Sequence, residues 1–126
     1  DSKVNHDAVA QIAAAAHPIP LTFHRAIDYS ITVNDDLKNM HPSVTRILAS
    51  GMTQSAWSGR DQLAAWMAAS GERFHFACAG GVTLENIAAL YRITGVHEYH
   101  IGGAVRVNGM VDIERVKMAK QHLNTA

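Results

Sequence analysis

The sequence predicts an α/β fold with a parallel sheet, four βα units of a (β/α) TIM-barrel-type fold, on three observations. A short strand followed by a helix recurs four times along the chain, and each strand ends in small or polar residues, as in a parallel sheet covered by helices. Two of the units also resemble each other. Val44-Thr45-Arg46-Ile47-Leu48-Ala49-Ser50-Gly51 and Val96-His97-Glu98-Tyr99-His100-Ile101-Gly102-Gly103 each bring a charged residue into the strand, follow it with an apolar one and close on a small one, as repeated units of one barrel do. Length supplies the third observation: an eight-stranded barrel takes about 250 residues, and these 126 residues are half of one. A half barrel leaves two strand edges open and its inner face uncovered, so a second copy or the other half of a longer chain is expected to complete it.

The chain opens at Asp1 without a methionine, and its first residues read as the tail of a loop, so a fragment is expected. Over residues 7–16, Val9, Ile12, Ala13 and Ala16 share one helical face, and Pro18 and Pro20 stop that helix. The stretch 21–28 begins as a strand, Leu21 and Phe23 offering one face and Thr22 and His24 the other, then turns polar at Arg25 and Asp28. Asn34 or Thr32 caps a short helix carrying Val33, Leu37 and Met40, ended by Pro42. Residues 44–51 form the second strand, centred on Ile47 and Leu48.

Ser58 begins the next helix, with Asp61 in a capping-box-like position, Leu63, Trp66 and Met67 as its apolar stripe, and Gly71 as its stop. The third strand, 74–78, runs through Ala79-Gly80-Gly81-Val82 into a helix capped by Thr83, with Ile87, Leu90 and Tyr91 on its buried side and Gly95 closing it. The fourth strand, 99–101, ends at Gly102 and Gly103. A turn at Asn108-Gly109 then leads to Asp112, the cap of a last helix built on Ile113, Val116, Ala119 and Leu123.

Composition narrows the function. The chain is 48% hydrophobic and 17% charged, as one soluble globular domain with a real core is. Eleven basic against eleven acidic residues leave no footprint for nucleic acid or an anionic membrane surface. No apolar run approaches the roughly 20 residues of a membrane span, and no leader pattern opens the chain. The lone cysteine, Cys78, excludes an internal disulfide and points to a reducing cytoplasm.

The chemistry gathers at strand ends, where parallel α/β folds place their sites. His24, Arg25 and Asp28 bring an imidazole, a guanidinium and a carboxylate to one of them. Arg25 supplies a fixed bidentate donor for a carboxylate or phosphate, Asp28 would orient it, and His24 or His100 would exchange a proton near neutral pH. The Gly80-Gly81 turn feeds a helix N-terminus that favours an anion, and Ser50, Gly102 and Gly103 end neighbouring strands on the same side. His97 and His100 are rejected as a chelate, because an odd separation on a strand sends them to opposite faces. Trp66, Met67 and Tyr91 lie at core spacing, and His6, His17, His41 and His122 read as surface residues.

Phe23-His24-Arg25-Ala26-Ile27-Asp28, Arg46-Ile47-Leu48-Ala49-Ser50-Gly51, Ala79-Gly80-Gly81-Val82 with Asn86, and Glu98-Tyr99-His100 follow the order and approximate spacing of the CutC family of copper homeostasis proteins. The chain resembles that family over nearly its whole length. Departures are Ala79 where a third glycine usually opens the turn, Met52 after Gly51 in place of another glycine, and Ile101-Gly102-Gly103 after the histidine. The resemblance implies that residues 1–126 are the C-terminal half of a single CutC-like barrel domain, working in copper homeostasis with copper as the ion bound. Cu(I) prefers thiolate and thioether ligands, and this chain offers Cys78, which would meet His100 or His24 across the barrel mouth if its strand end points inward, beside scattered methionines. The competing class is an enzyme using acid/base chemistry on a small anionic or phosphorylated substrate. A third is an interaction module that dimerises through its exposed sheet.

Overall fold

The alternation of strand and helix closes into one parallel sheet in a computed structural model, which describes residues 2–126; the loop reading at Asp1 lies outside them. Helix α1 (His6–Ala16) precedes strand β1 (Leu21–Phe23), a 3-10 turn (Arg25–Tyr29) and helix α2 (Val33–Lys38). Strand β2 (Val44–Ala49) leads to α3 (Arg60–Ser70), β3 (His75–Cys78) to α4 (Ile87–Thr94), and β4 (Glu98–Tyr99) to a hairpin of β5 (Arg106–Val107) and β6 (Met110–Val111) and then α5 (Ile113–Asn124). The main sheet has the order β1-β2-β3-β4 with every neighbouring pair parallel. This is the four-unit, half-barrel arrangement of a TIM-barrel-type fold, with β1 and β4 as its edges.

Alternation along β2 and β3 sends Ile47, Ala49, Phe76 and Cys78 toward the helices, where they join the main core with Ile27, Leu63, Ile87 and Leu90. Each fully buried aliphatic side chain there contributes about 1.5–3 kcal/mol over its exposed state. Trp66 of α3 stacks on Phe76 with centroids 6.4 Å apart. The opposite sheet face carries Arg46 and Glu98, joined across β3 at 2.6 Å (Nε to Oε2) and 3.2 Å (Nη2 to Oε1). They hold corresponding places in the two similar units of the sequence.

Several local expectations are corrected. Ile12 and Ile113 do not enter the core; they are 58% and 68% exposed. Helix α1 buries the narrower stripe of Val9 and Ala13, leaving Ile12 over an apolar groove beside the open β1 edge. Ile113 lies in the first turn of α5, directly after a fully exposed hairpin, while Val116, Ala119 and Leu123 make the contacts further along. The Ser58/Asp61 capping box does not form: the cap of α3 is Gly59 and Asp61 is exposed. Close packing of the β2 end on the α3 start explains this, since a Cβ at Gly59 would lie 2.0 Å from the Ser50 carbonyl oxygen. Strand β4 covers Glu98–Tyr99 rather than 99–101, with the His100 N–H adding one bond to the Cys78 carbonyl at 2.8 Å.

Three of the four supposed surface histidines have partners. His6 Nε2 donates to Asp36 Oδ1 at 3.0 Å, His41 Nδ1 accepts from Ser43 N–H at 3.1 Å, and His122 Nδ1 meets the Leu84 carbonyl at 2.6 Å. Asp36 is buried, and a buried carboxylate requires donors. It takes them from the Ser30 and Thr32 hydroxyls and the Val4 N–H as well, fastening the segment before α1 to α2.

Candidate functional site

The polar stretch after β1 turns back on itself because His24 caps it: its Nδ1 accepts the Ala26 N–H at 3.0 Å. A neutral His24 therefore carries its proton on Nε2. The turn that follows buries Ile27 and Asp28. Asp28 accepts the Ser50 N–H at 3.1 and 2.9 Å, the Ser50 hydroxyl at 2.9 Å and the Met52 N–H at 3.0 Å, so one carboxylate ties the end of β1 to the end of β2.

Arg25 fastens the same junction from above. Its Nε donates to Asp28 Oδ2 at 3.3 Å, and its Nη2 donates to Ser50 Oγ at 2.8 Å and to the Thr53 and Gln54 carbonyls at 3.2 and 3.3 Å. Ser50 Oγ accepts from Arg25 and has one proton to give, to Asp28 or to the Thr53 carbonyl. Nη1 is left over: it forms none of these bonds, and the Arg25 side chain is 33% exposed.

Gly80 sits against that free corner. At φ +88° a side chain is strained, and a Cβ would lie 3.0 Å from Arg25 Nη1 and from the Gln54 carbonyl. Gly81, at φ +62°, would place a Cβ 3.1 Å from that of Ser55. The glycine turn is thus shaped to close over Arg25 and the loop after β2, where the Ala56 N–H also donates to the Gly80 carbonyl at 2.8 Å. The helix entry behind it is largely satisfied from within. Helix α4 is capped at Asn86 rather than at the expected Thr83, and the two side chains bond each other's backbone in the turn before it, Thr83 N–H donating to Asn86 Oδ1 at 2.9 Å and Asn86 N–H to Thr83 Oγ1 at 3.2 Å.

His24, Arg25, Asp28, Ser50 and Gly80 come together at the ends of β1, β2 and β3, with Gly81 beside them over Ser55. His100, Gly102 and Gly103 lie after β4 at the other sheet edge, about 14 Å from β1 at three strand spacings. Neither of those two glycines has a heavy atom within 4 Å of where its Cβ would be, so packing does not demand them. Cys78 is fully buried in the core, and burial pushes its thiol up to about 12, with Thr94 pulling the other way. Among the described residues no group of three His, Cys, Asp or Glu side chains is arranged to hold a metal ion. A thiol so buried and so reluctant to ionise is poorly suited to act as a thiolate ligand. Sequence reasoning missed the Arg46–Glu98 pair and Gly59; the opposite charges at matching places in the similar units were the available signal for the first.

Polar loops converging at the carboxyl ends of parallel strands define a protein of the (β/α) barrel class. The CutC family model matches residues 1–105, and the chain belongs to that family. A CutC family protein of Photobacterium profundum is 31% identical over 104 residues, covering 82% of this chain and 42% of the relative. One of Xanthomonas campestris pv. campestris (strain 8004) is 30% identical over 145 aligned positions, covering 98% and 59%. A solved structure described as copper homeostasis protein CutC, from Streptococcus agalactiae, superposes with a TM-score of 0.73 at 25% identity over 79% of this chain and 50% of that one. The chain spans about half the length of these relatives. No helix among the described residues is long and apolar enough to cross a membrane.

Proposed function

We propose that these residues form the C-terminal half of a CutC-like barrel acting in cytoplasmic copper homeostasis, and that its strand-end mouth recognises a small anionic molecule instead of ligating copper through Cys78. The observation that carries this is the state of Arg25: Nε and Nη2 are held by Asp28, Ser50 and two carbonyls, while Nη1 has no hydrogen-bond partner among the described residues and the side chain is one-third exposed. A guanidinium held by its neighbours meets an anion with little further ordering. The remaining wall of the mouth belongs beyond β1 and β4, on the missing half of the barrel or on a second copy.

Two titrations test the reading. Inorganic phosphate should bind wild type and lose about tenfold in affinity in Arg25→Lys, which keeps the charge but not the fork; unchanged affinity in a folded Arg25→Lys removes the role. Anaerobic Cu(I) titration should give no stoichiometric binding in wild type or Cys78→Ala. Stoichiometric binding that Cys78→Ala abolishes would restore the thiolate reading.

The enzyme reading has one specific support, the exposed His24 ring beside Arg25. Its Nδ1 is taken by the Ala26 N–H, so a neutral His24 would offer Nε2–H as the donor to a substrate held by Arg25. Loss of turnover in His24→Ala with phosphate affinity intact would identify that role.

A further inference from the structure

We propose that two copies of this chain close into one eight-stranded barrel, β1 of each pairing with β4 of the other, and that each copy completes the other's mouth with His100. The shared mouth rests on Arg25 as the anion-binding group; the assembly does not.

Strand number fixes the count. A (β/α) barrel closes with eight parallel strands, and one sheet brings four, in the order β1-β2-β3-β4. Its outer strands differ, so the copies join head to tail, and a two-fold rotation closes the ring with no edge left open.

Charge distinguishes a second copy from any other cover. Barrel interiors are built in layers of four side chains from alternate strands, mostly branched aliphatic ones. Here β2 and β4 put Arg46 and Glu98 on the inner face, Arg46 beside His75 and Glu98 beside Ala77 of β3, bonded to each other at 2.6 and 3.2 Å. They are two members of one layer, with side chains still 44% and 39% exposed. The two-fold adds the partner's Arg46 and the partner's Glu98 at the same height. Signs then alternate around the layer, each guanidinium lying between two carboxylates. Because the charges enter as pairs already joined, the cost of enclosing them is limited.

The flanks match as well. Helix α1 precedes β1 and α5 follows β4, so strand pairing sets α1 of one copy beside α5 of the other. Ile12 of α1 is exposed over the groove at β1, and the groove at β4 offers Ile101, Val116 and Leu123. Each edge covers apolar surface that the other leaves bare.

Closure also changes the mouth. Tyr99 packs against the core, so alternation puts the exposed His100 on the inner face. Within one chain it lies about 14 Å from β1. Across the new junction the partner's His100 stands one strand spacing, about 4.8 Å, from β1, next to His24 and Arg25.

Sedimentation equilibrium should give twice the chain mass. Arg46→Glu, at a half-exposed position, should give a folded monomer whose dimer returns when Glu98→Arg is added. Positions 24 and 100 of one chain are too far apart for a disulfide, whose Cα atoms lie within about 7 Å. Oxidation of His24→Cys mixed with His100→Cys should therefore link two chains, while neither variant alone does. Inorganic phosphate should bind His100→Ala about threefold more weakly than wild type. A monomer at millimolar chain, or assembly past two copies, overturns the closure, and a dimer that survives Arg46→Glu overturns the charge layer. A dimer without the mixed disulfide overturns the β1–β4 pairing. Unchanged phosphate affinity in His100→Ala removes the shared mouth. Wild type that binds no phosphate overturns the Arg25 reading and the shared mouth with it, while mass and disulfide still decide the barrel.

Discussion

Asp28 holds Ser50 with both carboxylate oxygens, at 3.1 and 2.9 Å from the backbone nitrogen, and takes the hydroxyl as well at 2.9 Å. This joins β1 to β2 at the end where the sheet would otherwise be free to splay. A buried carboxylate bonded to backbone donors is costly to alter: Asp28→Asn turns an N–H donor toward others and should destabilise the fold by about 3 kcal/mol. Ser50→Ala removes only the hydroxyl and should cost about 1 kcal/mol. Urea unfolding checks the pair, and equal losses would show that the carboxylate does not hold the strand ends.

The two glycine pairs should respond in opposite ways. Gly80→Ala forces a left-handed residue with a Cβ 3.0 Å from Arg25 Nη1 and the Gln54 carbonyl, so a loss of about 1–3 kcal/mol is expected, together with weaker phosphate binding as Arg25 is displaced. Gly103→Ala meets open space at an ordinary φ and should be close to neutral in thermal unfolding. A tolerated Gly80→Ala would mean that the turn is not fitted to Arg25.

These contrasts mark where the sequence was legible. The parallel sheet could be read from the recurrence of strand and helix, because each strand's alternation and each helix's stripe are local patterns. Asp112 as the last cap and Asn108-Gly109 as a turn could be read for the same reason. The glycines looked alike in the sequence, yet only tertiary approach separates Gly59 and Gly80, fitted to a neighbouring backbone or guanidinium, from Gly102 and Gly103, where an added Cβ would meet open space. Arg25 and Asp28 were recognisable as a polar cluster. That Asp28 would be consumed by Ser50, 22 positions away, and that Cys78 would face the helices, depended on register and could not be seen in composition or spacing.

Cys78 should behave as an inert core thiol. With its ionisation pushed up to about 12 by burial, the thiolate fraction near pH 8 falls about a thousandfold below that of a free cysteine. Ellman's reagent should therefore release no colour from the native protein over minutes and one equivalent per chain in denaturant. Rapid native labelling would place the sulfur at the surface and return it to consideration as a metal ligand.

Asp36 should give the fold an acid-sensitive fastening. Burial raises its carboxyl, but the hydrogen bonds from Ser30, His6, Thr32 and Val4 outweigh this and set it below the ordinary carboxylate value. A depressed folded-state value means that the unfolded chain takes up the proton first. The stabilisation is therefore complete above the unfolded value of about 3.9 and disappears as pH falls through the lower folded value. Asp36→Asn should thus be destabilised at pH 7, and its deficit relative to wild type should narrow steadily below about pH 4. Thr32→Val, which removes one donor at 3.1 Å, should show a smaller version of the same convergence. Thermal melts across that interval decide the matter, because wild type and Asp36→Asn curves that stay parallel to the lowest pH would mean that the carboxylate's charge contributes nothing to holding α1 against α2.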